Sequence, residues 1–393
     1  MTVLTIPDPQ LPLRLADLAQ IQRLATTHLT FSLTLACPLR CEHCIVSSSP
    51  DLHHTTMPMP VAERYAAQMP ALAERGITHI SFTGGEPTIA RRQLKVLSAA
   101  GRAAGMTCAV VTASPWARTE ASARRTVQDL ADVAVWDLSV DHFHEPFVSL
   151  DTVRRAHDTL VAAGRRVTIR FTYNDPDSDD TRRILDFVAT LPDANVACQR
   201  VRPVGRGLEI TVGRIRDYNP WVKPCVTQGL VIRYDGSVSP CCLNLVERRD
   251  HTFQYGDATQ RDLADIHADF STDTLLQLVR SLGFSEMIRL AEDEGLGHLV
   301  PRHLPSEACQ MCELLMTDGE LTRALRQRLD DPGTQLRLGV IAAKSLGEPH
   351  LLDAVLDRYA ATADQLPGYD DAVAYRRTFH HPVRTRTNPE AAR

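Results

Sequence analysis

Residues 27–44 read THLTFSLTLACPLRCEHC, and the rest of the chain is best understood outward from this stretch. Thr27–Ala36 alternates and is rich in Thr, Leu and Phe, which is the pattern of a β-strand. The strand runs straight into Cys37-Pro-Leu-Arg-Cys41-Glu-His-Cys44. A loop at the C-terminal end of a barrel strand is where such folds carry their chemistry. Three thiolates there can hold three irons of a [4Fe–4S] cube and leave the fourth iron without a protein ligand. The alternative is a structural zinc site with His43 as fourth ligand, but such sites favour paired Cys-x-x-Cys knuckles, which this uneven spacing does not supply.

Downstream, short apolar runs alternate with amphipathic stretches. Strands are expected at Ile77–Phe82, Thr107–Thr112, Val133–Val140, Arg166–Thr172 and Asn195–Val201. Helices are expected at Val61–Arg75, Arg91–Ala104, Glu120–Leu130, Thr152–Ala163 and Asp180–Thr190. Gly164 is a helix stop of the usual kind. Strict alternation implies an α/β fold with a parallel sheet, and right-handed crossovers wrap six such units into an open, partial (β/α)6 barrel.

The pattern changes near Tyr218. Leu230–Tyr234 and Ser237–Pro240 flank Asp235-Gly236, a hairpin signal, and Leu263–Phe270 and Thr274–Glu294 read as helices. This is expected to be a small α+β module of its own, bracketed by Cys225 and Cys312. Gly319–Leu329, Thr334–Leu346 and Leu351–Ala363 follow as C-terminal helices, and Arg376–Arg393 as a loose basic tail.

The 393-residue length suits one large catalytic domain with an appendage. The net charge of −5 and the absence of a Lys/Arg block argue against a nucleic-acid partner. Met1–Gln10 lacks the features of a signal peptide, and no apolar run is long enough to span a bilayer, so a cytoplasmic location is expected. Cytosolic thiols stay reduced, so most of the ten clustered cysteines point to metal rather than to disulfides.

Cys-x-x-x-Cys-x-x-Cys after a first strand, with Gly84-Gly85-Glu86-Pro87 after a second, resembles the radical S-adenosylmethionine (SAM) superfamily. The resemblance implies that Cys37, Cys41 and Cys44 hold a [4Fe–4S] cluster whose open iron chelates SAM. It implies reductive cleavage of SAM to methionine and a 5′-deoxyadenosyl radical, which takes hydrogen from a substrate C–H bond. It further implies that Gly84, Gly85, Glu86 and Pro87 bind the methionyl amino group. Ser139 and Asp141 would contact the ribose hydroxyls, Arg170 would pair with the SAM carboxylate, and Val201–Gly207 matches the segment after the sixth strand. The family often has an aromatic residue before the third cysteine, and His43 stands here instead. His142 and His144, just past Asp141, are either loop polar groups or bases.

Cys225, Gly236, Cys241 and the pair Cys309-Gln-Met-Cys312, with Tyr255-Gly256-Asp257 between, resemble the auxiliary-cluster extension called SPASM or, in shorter form, twitch. No cysteine follows Cys312, so a one-cluster form is implied, with Cys225, Cys241, Cys309 and Cys312 closing all four positions of a second [4Fe–4S] cluster. Cys242 is a spare that can replace Cys241, and zinc on the same four thiolates is the rival. The resemblance divides the chain into an N-terminal extension (1–26), a radical SAM core (27–217), the auxiliary module (218–313), C-terminal helices (314–375) and the tail (376–393). Cys108 on the third strand and Cys198 on the sixth are candidate hydrogen-atom donors to a product radical, or else small buried hydrophobes. The implied function is oxidation or cross-linking of a ribosomal peptide or natural-product precursor, with a flavodoxin or ferredoxin as electron donor. The alternatives are a dehydrogenase or epimerase of a small polar substrate such as an aminocyclitol or sugar, and a metal-stabilised interaction module.

Overall fold

Strand and helix alternate through the first half of the chain as β1 (His28–Ser32), α1 (Met59–Ala67), α2 (Met69–Glu74), β2 (His79–Thr83), α3 (Arg91–Ala103), β3 (Thr107–Thr112), α4 (Glu120–Asp129), β4 (Val135–Ser139), α5 (Leu150–Ala162), β5 (Arg166–Tyr173), α6 (Asp179–Val188) and β6 (Asn195–Arg200). The computed structural model describes residues 26–193, 195–211, 225, 229–241, 245, 248–302, 308–347 and 349–378. Three of the loops that follow a strand end in a hydroxyl cap: Thr119, Ser149 and Ser178 accept from the backbone N–H three residues on. Such caps satisfy one of the unpaired donors of a helix N-terminus. The single helix expected over Val61–Arg75 is two, because Pro70 has no N–H and stands in the first turn of α2.

The six strands pair in parallel in sequence order, and β6 lies at one edge of the sheet. Register gives the two faces. Phe31, Phe82, Val110, Trp136 and Val167 face one another across neighbouring strands and are buried. This face packs on the helices: the Phe31 ring lies 5.8 Å from that of Tyr65 in α1, and Gly101 of α3 sits over Ile80 and Cys108. The opposite face, the barrel lumen, is polar and carries Ser32, Thr83, Asp137, Ser139, Arg170 and Gln199. Period-two alternation places these two sets on opposite sides without exception.

The hairpin departs from expectation in one respect. Its first strand, β7 (Leu230–Arg233), pairs in parallel with β1 (Phe31 opposite Ile232), and β8 (Val238–Ser239) returns antiparallel to it. The segment expected to stand as a module of its own therefore shares the main sheet, in the order β6-β5-β4-β3-β2-β1-β7-β8. Once β6 and β1 do not close on each other, the free edge of β1 must be paired or covered, and β7 does this.

The remaining helices are α7 (Leu263–Thr272), α8 (Thr274–Ser281), α9 (Gly283–Asp293), α10 (Ala308–Met316), α11 (Gly319–Leu329), α12 (Pro332–Leu346), α13 (Pro349–Tyr359) and α14 (Tyr369–Thr378). Gly283, at φ +80°, breaks the expected Thr274–Glu294 helix in two. Arg376, expected to open the loose tail, lies instead within α14 and pairs with Asp353 of α13. Residues 379–393 of that tail, and 1–25 of the N-terminal extension, lie outside the described residues. Among the described residues no helix is long and apolar enough to cross a membrane.

One ion pair ties α11 to the segment before α8. Arg326 grips both oxygens of buried Asp273 at 2.8 and 3.1 Å, reaches Thr252 Oγ1 at 3.0 Å, and lies over the Phe253 ring. Tyr255 donates to the same carboxylate. Removing the guanidinium leaves a buried carboxylate short of its cation, so Arg326→Ala is expected to lower stability by about 2–3 kcal/mol. Chemical denaturation of the full chain measures this, and an unchanged midpoint would refute it.

Candidate active site

The cysteine loop is clamped between two neighbouring loops. On one side, the backbone after β1 bonds to the backbone after β2: Gly85 N–H to Thr34 O at 2.6 Å and Glu86 N–H to Ala36 O at 2.8 Å. A Cβ on Gly84 would lie 2.1 Å from Thr34 O, and one on Gly85 would lie 2.2 Å from Ala36 O. Only glycine allows so close an approach. Cys37 N–H bonds to Ser49 O at 3.1 Å, and Cys44 N–H to Cys41 O at 3.2 Å.

On the other side stands the loop after β6. Arg206 spans the cysteine loop with three bonds: its backbone N–H to Cys44 O at 3.0 Å, Nε to Cys41 O at 2.9 Å and Nη2 to Ser48 O at 2.9 Å. Gly205 (φ +55°) brings the two backbones together, since a Cβ there would fall 2.5 Å from Cys44 O. Arg206 lies within Val201–Gly207 but was not among the expected site residues. The signal was an arginine between two glycines, the arrangement that lets one side chain reach several carbonyls of a second loop.

Within this clamp the three thiols act on one another. Burial pushes the Cys37 thiol up to about 12, and Glu86, Cys41 and Cys44 add to the rise. Glu86 does not present its carboxylate to a ligand. Its oxygens accept from Thr88 N–H, Thr88 Oγ1, Thr112 Oγ1 and Ala113 N–H, and the side chain is buried. Burial raises its pKa against these bonds. The acceptors this segment leaves for an ammonium are its backbone carbonyls.

Beyond β4, Asp141 is also committed inward. Its Oδ1 accepts from Phe143 N–H and His144 N–H at 3.0 Å and pairs with His144 Nδ1 at 2.8 Å, while Oδ2 faces His43 Nε2 at 3.7 Å. Oδ1 is thereby taken, whereas Oδ2 is buried without a hydrogen-bond partner. Burial opposes a charge on His144, but Asp141 and Cys41 outweigh it and hold the ring's pKa well above its usual value. His43 stacks on Phe143 with centroids 4.6 Å apart, and burial lowers its pKa to about 4. The His142 ring lies against Phe143. Ser139 and Arg170 stand side by side on neighbouring strands of the lumen face. Arg170 is bound to Asp137 through Nε at 2.7 Å and Nη2 at 2.6 Å, which fixes its direction.

A second cysteine group converges elsewhere. Cys312 on α10 is pushed well up by burial and by Cys225, Cys241 and Cys309. Cys309 and Cys312 share a face of α10 at i, i+3. Cys225 is anchored by its N–H to Val279 O, and Cys241 by the Ser239 hydroxyl on its carbonyl. Cys242 lies outside the described residues.

Cys108 and Cys198 join neither group, and their placement corrects the donor expectation. Cys108 is opposite Ile80 and Cys198 opposite Phe171, so both share the helix-facing side of the sheet. Cys108 is fully buried and donates to Ser98 O of α3. Neither thiol reaches the lumen, because strand parity sends it the other way.

Comparison with known proteins identifies this arrangement. The model of the radical SAM superfamily matches residues 31–188. The chain carries a radical SAM domain. The SPASM model, an iron–sulfur cluster-binding domain, matches residues 224–313. GTP 3′,8-cyclases of Mycobacterium ulcerans (strain Agy99) and Mycobacterium marinum (strain ATCC BAA-535 / M) are 30% and 29% identical to this chain over 211 residues. That stretch is 53% of this chain and 49% of theirs, so the match spans about half the length of these relatives. Among solved structures, Streptococcus suis SuiB bound to precursor peptide SuiA aligns with a TM-score of 0.47 at 16% identity, over 67% of this chain and 69% of that one. Native anSMEcpe with bound AdoMet aligns at 0.46 and 14%, over 77% and 99%.

A radical SAM domain takes a [4Fe–4S] cluster and SAM, and a SPASM domain takes auxiliary iron–sulfur. The donor sets fit both. Each group is thiols in mutual electrostatic reach; soft thiolates suit iron–sulfur and zinc alike, and the two domain matches favour iron–sulfur. His43, the fourth ligand of the zinc alternative, turns its Nε2 to Asp141.

Proposed function

We propose that this protein oxidises or cross-links C–H positions of a peptide or other natural-product precursor. The observation that carries the reading is the convergence of four thiols at Cys225, Cys241, Cys309 and Cys312. Four thiolates complete the ligand shell of one [4Fe–4S] cluster, which leaves electron transfer as its chemistry. Cys37, Cys41 and Cys44 would hold the other cluster, which with SAM supplies one-electron cleavage to methionine and a 5′-deoxyadenosyl radical.

The chain's own residues then have these tasks. Gly84 and Gly85 let the backbone close on the ligand, and Arg206 keeps the cysteine loop in shape. Arg170, oriented by Asp137, and Ser139 face the lumen where SAM would lie. One substrate hydrogen leaves with 5′-deoxyadenosine. A second would leave as a proton, taken up by water, and an electron, taken up by the cluster that Cys225, Cys241, Cys309 and Cys312 would hold, and the product is lighter by two hydrogens. Epimerisation needs a hydrogen donor instead, and the sideways placement of Cys108 and Cys198 speaks against it. A flavodoxin or ferredoxin would supply the initiating electron.

Exposed Ile89, Phe147 and Leu208 stand in the loops after β2, β4 and β6, at the end of the barrel that carries the cysteines. Apolar groups at that mouth suit the side chains of a peptide. The polar lumen, with Thr83, Ser139 and Gln199, favours a second reading, dehydrogenation of a small polyol or aminocyclitol. The test is anaerobic incubation of reconstituted protein with SAM, a strong reductant and candidate peptides, aminocyclitols or GTP. Loss of two hydrogens from a peptide, matched by 5′-deoxyadenosine, is the expected result. The same loss from the aminocyclitol alone would select the second reading, and turnover of GTP alone would overturn both.

A further inference from the structure

The loop after β4 has two sides. Its inner side packs Phe143 and His144 against His43 of the cysteine loop. Its outer side, together with the loop after β3, encloses a groove of about 350 Å³ at the rim of the barrel mouth. Both walls are fixed without a ligand. On the β3 side, Arg155 of α5 donates to Ala117 O at 2.8 Å and to Arg118 O at 2.9 Å, and Ser122 Oγ donates to Trp116 O at 2.6 Å. On the β4 side, Phe147 N–H and Val148 N–H both bond to His144 O, and Val148 is buried. In this bonded turn Phe147 is nonetheless 41% exposed, and it lines the groove with Pro115 and Pro146. Two charged side chains also line it, Arg118 and Glu145. The Glu145 oxygens are both taken by Arg183, at 2.8 and 2.6 Å. Arg118 is exposed and makes no ion pair among the described residues. A carboxylate entering the groove therefore meets an available cation, whereas an ammonium meets an anion already paired.

We propose that this groove recognises the precursor peptide outside the lumen, with an acidic residue of the peptide on Arg118 and a bulky apolar residue on Phe147. The inference rests on the reading that the substrate is a peptide, and it gives that peptide a sequence requirement: an acidic residue close to an apolar one, away from the position that is modified. A guanidinium takes a carboxylate through two parallel N–H···O bonds, and an exposed aromatic ring is an anchor for an apolar side chain. Walls that are already bonded in place lower the ordering cost of binding. Contacts to a remote part of a substrate help to position its reacting bond. Phe147 stands at the same end of the barrel as Ile89 and Leu208, so a peptide leaving the groove crosses a mouth that offers further apolar contacts.

The test uses the full chain, reconstituted anaerobically with iron and sulfide. The probes are short rhodamine-labelled Gly/Ser peptides with Glu-Leu-Glu, Lys-Leu-Lys or Glu-Ser-Glu at the centre, and fluorescence anisotropy reads their binding. The Glu-Leu-Glu probe is expected to bind about tenfold more tightly than either of the others. Arg118→Glu should reverse the charge preference, so that Lys-Leu-Lys becomes the better ligand, a result that loss of folding cannot produce. Phe147→Ser should weaken Glu-Leu-Glu about tenfold and leave Glu-Ser-Glu as it was. Both side chains are exposed, and the Arg118 carbonyl that Arg155 holds is kept in the variant. Wild type that binds all three probes alike, or none of them, would overturn the proposal, as would an Arg118→Glu variant with unchanged preference. So would an acidic flavodoxin that binds through Arg118 while the probes do not, which would give the groove to the electron donor. Failure of the peptide reading itself shows separately, as an anaerobic incubation in which no peptide loses hydrogens, whatever the probes do.

Discussion

Cys41→Ala is expected to abolish 5′-deoxyadenosine formation while leaving about half of the protein's iron, four atoms of about eight, in place. Cys41 is the central member of its triad and the most buried, and its carbonyl accepts both the Cys44 N–H and the Arg206 guanidinium. Alanine keeps those backbone bonds and removes only the sulfur, so the loop should keep its course with two thiols instead of three. Two thiolates do not hold a cube with one open iron, and no other described cysteine is near enough to substitute. Cys108 and Cys198 lie on the far face of the sheet. The second group at Cys225, Cys241, Cys309 and Cys312 shares no ligand with the first, so its iron should remain. The measurement is chromatography of the SAM products alongside iron and sulfide analysis. Undiminished 5′-deoxyadenosine would mean that SAM is cleaved without this triad. Loss of all iron would mean that the two groups are not independent.

Gly84→Ala should destabilise the protein by about 3 kcal/mol or more and strip the first cluster with it. Gly84 stands at φ +135°, a conformation L residues rarely adopt, and a Cβ there meets Thr34 O at 2.1 Å and Thr34 N at 3.1 Å. Backbone cannot swing aside as a side chain can. The Gly85 N–H···Thr34 O and Glu86 N–H···Ala36 O bonds that hold the cysteine loop to the sheet would have to lengthen or break. Gly76→Ala is the matched control: it also has positive φ (+89°), but a Cβ there meets nothing within 4 Å. That substitution should show backbone strain alone, about 1–2 kcal/mol. Urea unfolding of both variants, with iron content, separates the two effects. Equal losses in the pair would show that close approach at Gly84 matters no more than its φ.

Several features were visible as spacing along the chain. Cys37, Cys41 and Cys44 lie within one loop, and Cys309 and Cys312 within one turn of α10, so their proximity follows from local geometry. Gly84-Gly85 announced a close backbone approach, and the alternation of strands and amphipathic helices announced the parallel sheet. The side-chain roles were harder to see. Glu86 looked like a ligand acceptor from its place beside two glycines, yet its carboxylate is taken by Thr88, Thr112 and Ala113. Asp141, expected from the resemblance to be a ribose contact, also caps its own turn and pairs with His144 through Oδ1. The distant partners of Glu86, Thr112 and Ala113, stand at the end of β3, whereas those of Asp141 lie two and three residues along in its own turn.

Pattern and spacing were thus sufficient for the alternating α/β core and for the nearness of Cys37, Cys41 and Cys44 and of Cys309 and Cys312, because these depend on residues a few positions apart. Folding alone decided what depends on distant segments meeting. It made β7 a neighbour of β1, 201 residues away in the pairing of Phe31 with Ile232. It carried Arg206 to the carbonyls of Cys41 and Ser48, drew Cys225 and Cys241 to Cys312, and sent Cys108 and Cys198 to the helix side. Such contacts are set by strand order, register and parity, which no short stretch of the chain contains.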